Sequence, residues 1–229
     1  MAERPLVWKS LQALARVLTT LLYDLKVEGL ENIPAQGGAL IVSNHQSYLD
    51  PVLLGSRTRR PLNYIAKSEL FEIHPALSWL FSSLGGFPIR QGARDVGAVR
   101  ESIQRLHQGH LLTIYPEGSR TADGEIARME RGVALIDRRA HVPVIPAVIV
   151  GAFEAWPSTR TLPCPGRIRV RFGPPMNLAG LNSDELIATI DRTLRKMYED
   201  LRAEYKMNGH LPRHSGNHNH DPSSSTIRG

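Results

Sequence analysis

Apolar residues recur at helical spacing along the first part of the chain. Trp8, Leu11, Leu14, Ala15, Leu18, Leu21, Leu22 and Leu25 share one face, which predicts an amphipathic helix over residues 6–25. Lys9, Arg16, Asp24 and Lys26 interrupt the apolar pattern. The charge-free run from Val17 to Tyr23 is far shorter than the ~20 apolar residues that cross a bilayer. It also lacks the small-residue cleavage pattern of a signal peptide. Such a helix either lies in a membrane interface or packs on the domain behind it.

Further along, the pattern changes to short apolar runs separated by turns. Glu28 to Pro34 reads as a short strand and turn, and Ala39-Leu40-Ile41-Val42 as a buried strand. A polar loop, Ser43 to Asp50, follows, and Pro51 opens a helix with Asp50 as its N-cap. Asn63 to Ala66 is the next strand, with Lys67 at its exit. Residues 69–84 are apolar and helical, broken at His74-Pro75, and Trp79, Leu80 and Phe81 make them a second candidate for bilayer contact or a core helix. Gly85 to Gly92 contains a short strand, and Arg94 to His107 a helix ended by Gly109. His110 to Tyr115 is a strand that runs into Pro116-Glu117-Gly118-Ser119-Arg120. Gly132 to Ala140 is helical. Val142 to Val150 is a buried strand whose prolines suit an end or a bulge. Arg167 to Phe172 alternates as a half-exposed strand, and a long helix from Ser183, its cap, to Tyr205 closes the domain. Strands alternating with helices predict an α/β sheet with helices on its faces.

The tail from about Met207 is rich in His, Ser, Asn and Pro and too poor in apolar residues to offset ordering, which predicts disorder. The expected organisation is therefore an N-terminal helix over 1–26, one domain over 27–206, and a tail over 207–229. At 229 residues the chain is long enough for one domain with a sizeable core. Its only cysteine, Cys164, excludes a disulfide within the chain and lies in a proline-framed loop with nothing nearby to activate it. The net charge of +6 suits anionic lipid or phosphorylated small molecules. With no helix-turn-helix, zinc or aromatic ribonucleoprotein pattern, no nucleic-acid partner is expected. No metal site is expected either, since His45 and Asp50 have no companion ligands at suitable spacing and the tail histidines suit only adventitious chelation.

Chemistry gathers at strand ends. His45 leaves one strand and Asp50 enters the next helix, a spacing that lets a carboxylate hold one imidazole nitrogen while the other faces a cleft. Taken alone, the pair is better explained as a loop histidine and a helix cap; the stretches that follow change that. Glu117, Gly118, Ser119 and Arg120 lie at a second strand exit, where α/β proteins place ligands. The Arg120 guanidinium fits a phosphate, and Glu117 could orient it or accept a substrate hydroxyl. Arg90 and Arg94 lie beside glycines in a third stretch. Val142, Pro143 and Pro146 carry no chemistry and can only form a wall, such as one for an apolar chain.

Together these stretches resemble the glycerolipid acyltransferase family, the 1-acylglycerol-3-phosphate acyltransferases and their relatives. Asn44, His45 and Asp50 match the family's Asn-His, four residues, Asp. Pro116 to Arg120 matches its Pro-Glu-Gly-Thr-Arg block, with Ser119 for threonine, and Val142 to Pro146 its Val-Pro-x-x-Pro block. The second block is looser: Gln91 takes the place of the usual arginine, with Arg90 one position early. The resemblance spans about Val27 to Pro175. It implies an α/β fold with a central mixed sheet flanked by helices. It also implies acyl transfer from coenzyme A or acyl carrier protein to the hydroxyl of 1-acyl-sn-glycerol 3-phosphate, a step of phospholipid biosynthesis, with no cofactor beyond the donor. His45 would be the base and Asp50 its partner. Asn44, Lys67, Arg90, Arg94, Glu117, Gly118, Ser119 and Arg120 would hold the acceptor, and Val142, Pro143 and Pro146 would flank the acyl chain. The expected partners are the thioester donor, the lysophospholipid and a membrane surface, which would place the chain on the cytoplasmic face as a peripheral or monotopic protein. The alternatives are another lysophospholipid, glycerol 3-phosphate or an amino-lipid as acceptor. A non-catalytic lipid-phosphate-binding module would not need both His45 and Asp50.

Overall fold

In the computed structural model, residues 5–72, 74–89 and 96–207 are described. The chain forms helix α1 (Pro5–Tyr23), strand β1 (Lys26–Glu28), β2 (Ala39–Ser43), α2 (Asp50–Gly55), β3 (Leu62–Lys67), α3 (Glu69–Glu72), α4 (Pro75–Ser83) and β4 (Gly86–Ile89). Then come α5 (Val96–His107), β5 (Leu111–Ile114), α6 (Gly132–Ala140), β6 (Val144–Val150), α7 (Ala152–Ala155), β7 (Arg169–Phe172) and α8 (Ser183–Met207).

The seven strands form one sheet in the order β1-β7-β6-β2-β5-β3-β4. All neighbours are parallel except β6 and β7, so the sheet is mixed with a single antiparallel junction. β2, β5 and β6 are buried along their whole length, as parallel strands covered on both faces must be. Side-chain alternation divides the core. Leu40, Val42, Leu112 and Ile114 join Val144, Val148 and the inner faces of α5, α6 and α8 on one side. Ala39, Ile41 and Leu111 join Ile145, Ile149, Tyr23 of α1 and Leu53 and Leu54 of α2 on the other. The result is three layers.

This arrangement creates the crevice that matters. From β2 the chain passes through α2, on one face, toward β3. From neighbouring β5 it passes through α6, on the opposite face, to β6. Consecutive connections that leave to opposite faces open a gap beyond the carboxyl ends of the strands, the usual ligand position in such sheets. The loops after β2 and β5 both empty there.

Several local expectations are corrected. The strand near Glu28 ends at that residue, and Leu30–Asn32 is a single 3₁₀ turn. Asp50 does not cap α2: Leu49 occupies the N-cap position without a side-chain hydrogen bond, because the Asp50 carboxylate points back into the preceding loop. Ser183 is not the cap of α8. Asn182 accepts from the amides of Asp184 and Glu185 while Glu185 accepts from the Asn182 amide, a reciprocal capping box. Pro146 lies within β6 rather than at an end. Its carbonyl accepts from Gly173 on the β7 side, where the β7 ladder has already ended, so its missing N–H breaks no ladder bond. The tail expected to be disordered begins where α8 stops, and residues 208–229 lie outside the described residues.

Candidate active site

Strand β2 delivers Asn44 and His45 to the carboxyl edge of the sheet. Asn44 is almost wholly buried, and its amide pairs with the backbone of β6: Nδ2 donates to the Ile149 carbonyl at 2.9 Å, and Oδ1 accepts from the Ile149 N–H at 2.8 Å. Both ends of the side chain are thus used to lock the loop to the sheet.

His45 is a fifth exposed, and its Nδ1 lies 2.7 Å from Oδ2 of the fully buried Asp50. The same oxygen accepts from the backbone N–H of Gln46 at 2.7 Å and of Ser47 at 2.9 Å. An oxygen that already receives two N–H donors faces Nδ1 as an acceptor, so Nδ1 carries the proton and Nε2 presents its lone pair. The five-residue spacing therefore closes a ring in which the loop's own amides orient the carboxylate. Asp50 Oδ1 is buried with no hydrogen-bond partner among the described residues.

Two elements hold His45 from behind. Tyr115, directly after β5, stacks on the imidazole with ring centres 4.0 Å apart and planes 12° from parallel. Its hydroxyl is buried without a partner among the described residues, and burial, reinforced by the Asp50 charge, pushes the phenol well above its ordinary value. Glu117 bridges two loops: Oε1 accepts from the His45 N–H and Oε2 from the Ala127 N–H, each at 2.7 Å. Burial raises the Glu117 carboxyl above its ordinary value, while these two backbone donors pull it part of the way back. With each oxygen bonded to a backbone N–H and 7% of the residue exposed, Glu117 braces the loop. The Thr121 N–H to His45 carbonyl bond, 2.8 Å, closes the same junction.

Gly118 takes a left-handed φ of 70° in the turn closed by its N–H on the Tyr115 carbonyl. It and Ser119 are exposed at the rim. The Arg120 guanidinium lies over the Tyr48 ring, 3.4 Å from its centre, and Tyr48 in turn leans on Trp156 at 5.3 Å. Arg120 Nη1 is buried with no hydrogen-bond partner among the described residues. The Ser47 hydroxyl donates to the Trp156 carbonyl at 2.8 Å and fastens the segment after β6 to the histidine loop.

Of the other expected site residues, Lys67 ends β3 at this same edge of the sheet. Arg90 and Arg94 lie outside the described residues, as does Gln91. Val142 and Pro143 precede β6 at the opposite edge, several residues below the Ile149 level at which Asn44 bonds, so at roughly 3.3 Å per residue they are far from His45. Val142 packs on the core and Pro143 is exposed. Pro146 is buried in the sheet beneath Gly173, whose neighbour there is Met197 of α8. Val142 and Pro143 thus lie at the end of β6 away from His45, and Pro146 lies between that end and the Ile149 level. An apolar groove of about 270 Å³ lies elsewhere, between α1 and α2: Leu11, Ala15, Leu18, Leu49, Val52 and Leu84 are among its lining residues. Leu49 is the neighbour of Asp50.

Sequence reasoning missed Tyr48, Tyr115, Trp156 and Thr121. Tyr48 and Tyr115 stood in or beside stretches already singled out, and an aromatic at a strand exit next to a polar block was the available signal. Trp156 had none, because only folding brings the segment after β6 to the loop after β2.

Comparison with known proteins fits this geometry. The model of the family described as Acyltransferase matches residues 24–150. The chain is 27% identical to the 1-acyl-sn-glycerol-3-phosphate acyltransferase of Bacillus subtilis, over 81% of this chain and 92% of that one. It is 30% identical to a chloroplastic protein of the same name from Arabidopsis thaliana, over 59% of this chain, and there it spans only 38% of the relative's length. The crystal structure of the 1-acyl-sn-glycerophosphate acyltransferase PlsC from Thermotoga maritima superposes with a TM-score of 0.75 at 29% identity, covering 89% of this chain and 85% of that one.

Proposed function

Because the chain belongs to the acyltransferase family, we propose that it transfers a fatty acyl group from a thioester to the free hydroxyl of 1-acyl-sn-glycerol 3-phosphate, making phosphatidic acid. The observation that carries this reading is the His45–Asp50 pair. Its Nδ1 is held at 2.7 Å and its Nε2 is left free to accept a proton, at the carboxyl edge of the sheet. A substrate that brings its own hydroxyl needs only such a base.

In the proposed step, Nε2 removes the hydroxyl proton as the oxygen attacks the thioester carbonyl. Asp50 stabilises the imidazolium that forms. The tetrahedral intermediate then collapses, the carbon–sulfur bond breaks, and the imidazolium returns its proton to the departing thiolate. General-base assistance of this kind contributes roughly 10²–10⁴-fold, with alignment of the two substrates adding to it. Arg120, held over the Tyr48 ring, would bind the acceptor phosphate together with Lys67 and with Arg90 or Arg94, while Gly118 and Ser119 form the rim. The apolar groove between α1 and α2 would take an acyl chain.

A lysophospholipid acceptor resides in a bilayer, so the chain is proposed to work on a membrane surface at the cytoplasmic face. Among the described residues, no helix is long and apolar enough to cross a membrane. Instead α1 leaves Leu6, Leu14, Val17, Leu18, Leu21 and Leu22 exposed, an apolar stripe suited to lying in the interface. The net charge of +6 favours anionic lipid.

The test is acyl transfer to lysophosphatidic acid in detergent and in liposomes, with acyl-coenzyme A and acyl carrier protein thioesters offered separately. Turnover by the wild type, lost in His45→Ala, is expected, and the active thioester names the donor. A folded wild type that acylates only glycerol 3-phosphate or a zwitterionic lysolipid would replace the acceptor. Full activity in His45→Ala would overturn the mechanism.

A further inference from the structure

Residues 157–167, between α7 and β7, have no part in the chemistry above, yet they are built as a pinned, exposed tip. Every residue from Ser158 to Arg167 is exposed, and Leu162 at its centre is 71% exposed. One exposed leucine is unremarkable by itself. Three further features set this one apart.

The first is location. The Gly166 N–H donates to the Leu22 carbonyl at 3.0 Å and the Ile168 N–H to the Tyr23 carbonyl at 3.0 Å, so the segment is fastened to the end of α1. The four steps from Leu162 to Gly166 can span at most roughly 14 Å. Leu162 is therefore tethered within that reach of the end of α1, where Leu21 and Leu22 are 77% and 43% exposed. The second is preorganisation. The Cys164 N–H bonds the Ala155 carbonyl at 2.8 Å, and Trp156 Nε1 bonds the Arg160 carbonyl at 3.0 Å. Pro163 and Pro165 fix φ on either side of Cys164, so little chain entropy remains to be lost on docking. The third is charge. No acidic residue occurs between Glu154 and Asp184, and the segment carries Arg160 and Arg167. Among the described residues the Arg160 side chain bonds a backbone carbonyl, that of Glu154, and no carboxylate, while Arg167 lies 3.7 Å from Asp24. An apolar tip flanked by guanidinium groups matches the junction of acyl chains and anionic headgroups.

We propose that residues 157–167 form a second membrane contact, in which Leu162 inserts into an anionic lipid surface beside the exposed face of α1. The proposal rests on the membrane-surface reading above. Two contacts fix an orientation where one helix leaves rotation about its axis free. The base of the segment is Trp156, which touches Tyr48 and holds Ser47, so the orientation would set the mouth of the His45 cleft at the lipid surface.

Cys164 is exposed and is the chain's only cysteine, so a nitrobenzoxadiazole label there reports on this segment in the full-length protein. Vesicles of phosphatidylcholine with phosphatidylglycerol are compared with phosphatidylcholine alone. The expected result is a blue-shifted emission on the anionic vesicles and quenching by lipids carrying a doxyl group in the acyl chain. Leu162→Asp is expected to lower vesicle partitioning roughly tenfold, with an unchanged thermal melt and unchanged turnover in detergent. Protein that sediments with vesicles while its label remains water-like would overturn the proposal and leave α1 as the sole contact. So would unchanged partitioning of Leu162→Asp. Failure of the wild type to sediment with either vesicle would overturn the membrane reading itself.

Discussion

Tyr115 stacks on His45 with ring centres 4.0 Å apart and planes 12° from parallel, and its hydroxyl bonds nothing among the described residues. The flat face, not the hydroxyl, is thus what the site uses. Tyr115→Phe keeps the face and removes a buried, unpartnered polar group. It should retain kcat and match or exceed the wild type in stability, by up to about 1–2 kcal/mol. Tyr115→Leu fills part of the volume but lets the imidazole tilt, and should lower kcat while leaving KM for the acceptor nearly unchanged. Steady-state kinetics and thermal melts of the two variants check this. A Phe variant as impaired as Leu would mean the hydroxyl has a chemical task.

Asp50→Asn separates geometry from charge. The amides of Gln46 and Ser47 should keep an oxygen turned toward Nδ1, so an asparagine carbonyl would still receive the Nδ1 proton. The correct tautomer would survive and only the stabilisation of the imidazolium would be lost. His45→Ala should cost roughly 10²–10⁴ in kcat, Asp50→Ala a comparable amount, and Asp50→Asn distinctly less. Measured under one assay, an asparagine variant as inactive as the alanine variant would show that the amides do not hold the tautomer.

The strands and helices were legible because buried parallel strands and amphipathic helices leave runs and periods that survive without tertiary information. His45 and Asp50 were legible because their partnership is local, five residues apart. Glu117 was identified as a site residue, but its task was not legible: its partners are backbone amides of His45 and Ala127, which no side-chain pattern advertises. The clamp made by Asn44 was hidden for the same reason, since its partner is the backbone of Ile149. The placement of Val142 and Pro143, expected to form an acyl-chain wall, was not legible either. Position in a motif does not tell which end of a strand faces the cleft, and these residues enter β6 at the end away from His45. The groove between α1 and α2 depends on how two helices meet, which periodicity leaves open.

Asn44 provides a test of that backbone clamp. Asn44→Ala strands the N–H and C=O of Ile149, and each buried, unsatisfied group costs about 1–3 kcal/mol. A loss of roughly 2–6 kcal/mol in urea denaturation is expected. Activity of the remaining folded protein should fall through displacement of His45, with KM for the acceptor little changed. A stable variant with a raised acceptor KM would instead mark Asn44 as a substrate contact.

Glu117 makes a prediction whose sign follows from its environment. Its carboxyl is raised above the ordinary 4.5, chiefly by burial. A carboxyl raised in the folded state binds its proton more tightly there than in the unfolded chain. Its contribution to stability is therefore full below the ordinary value and declines as pH rises through the folded one. Glu117→Gln has no such titration and loses one of the two amide acceptors. The wild type should thus exceed the glutamine variant in stability by more at about pH 4 than at about pH 7, as read by urea denaturation at both. In kinetics, the variant should lose kcat with little change in acceptor KM, because the lost bond supports the His45 backbone and not the lipid. A margin that widens with rising pH would contradict the burial argument. A raised acceptor KM at constant kcat would return Glu117 to the substrate.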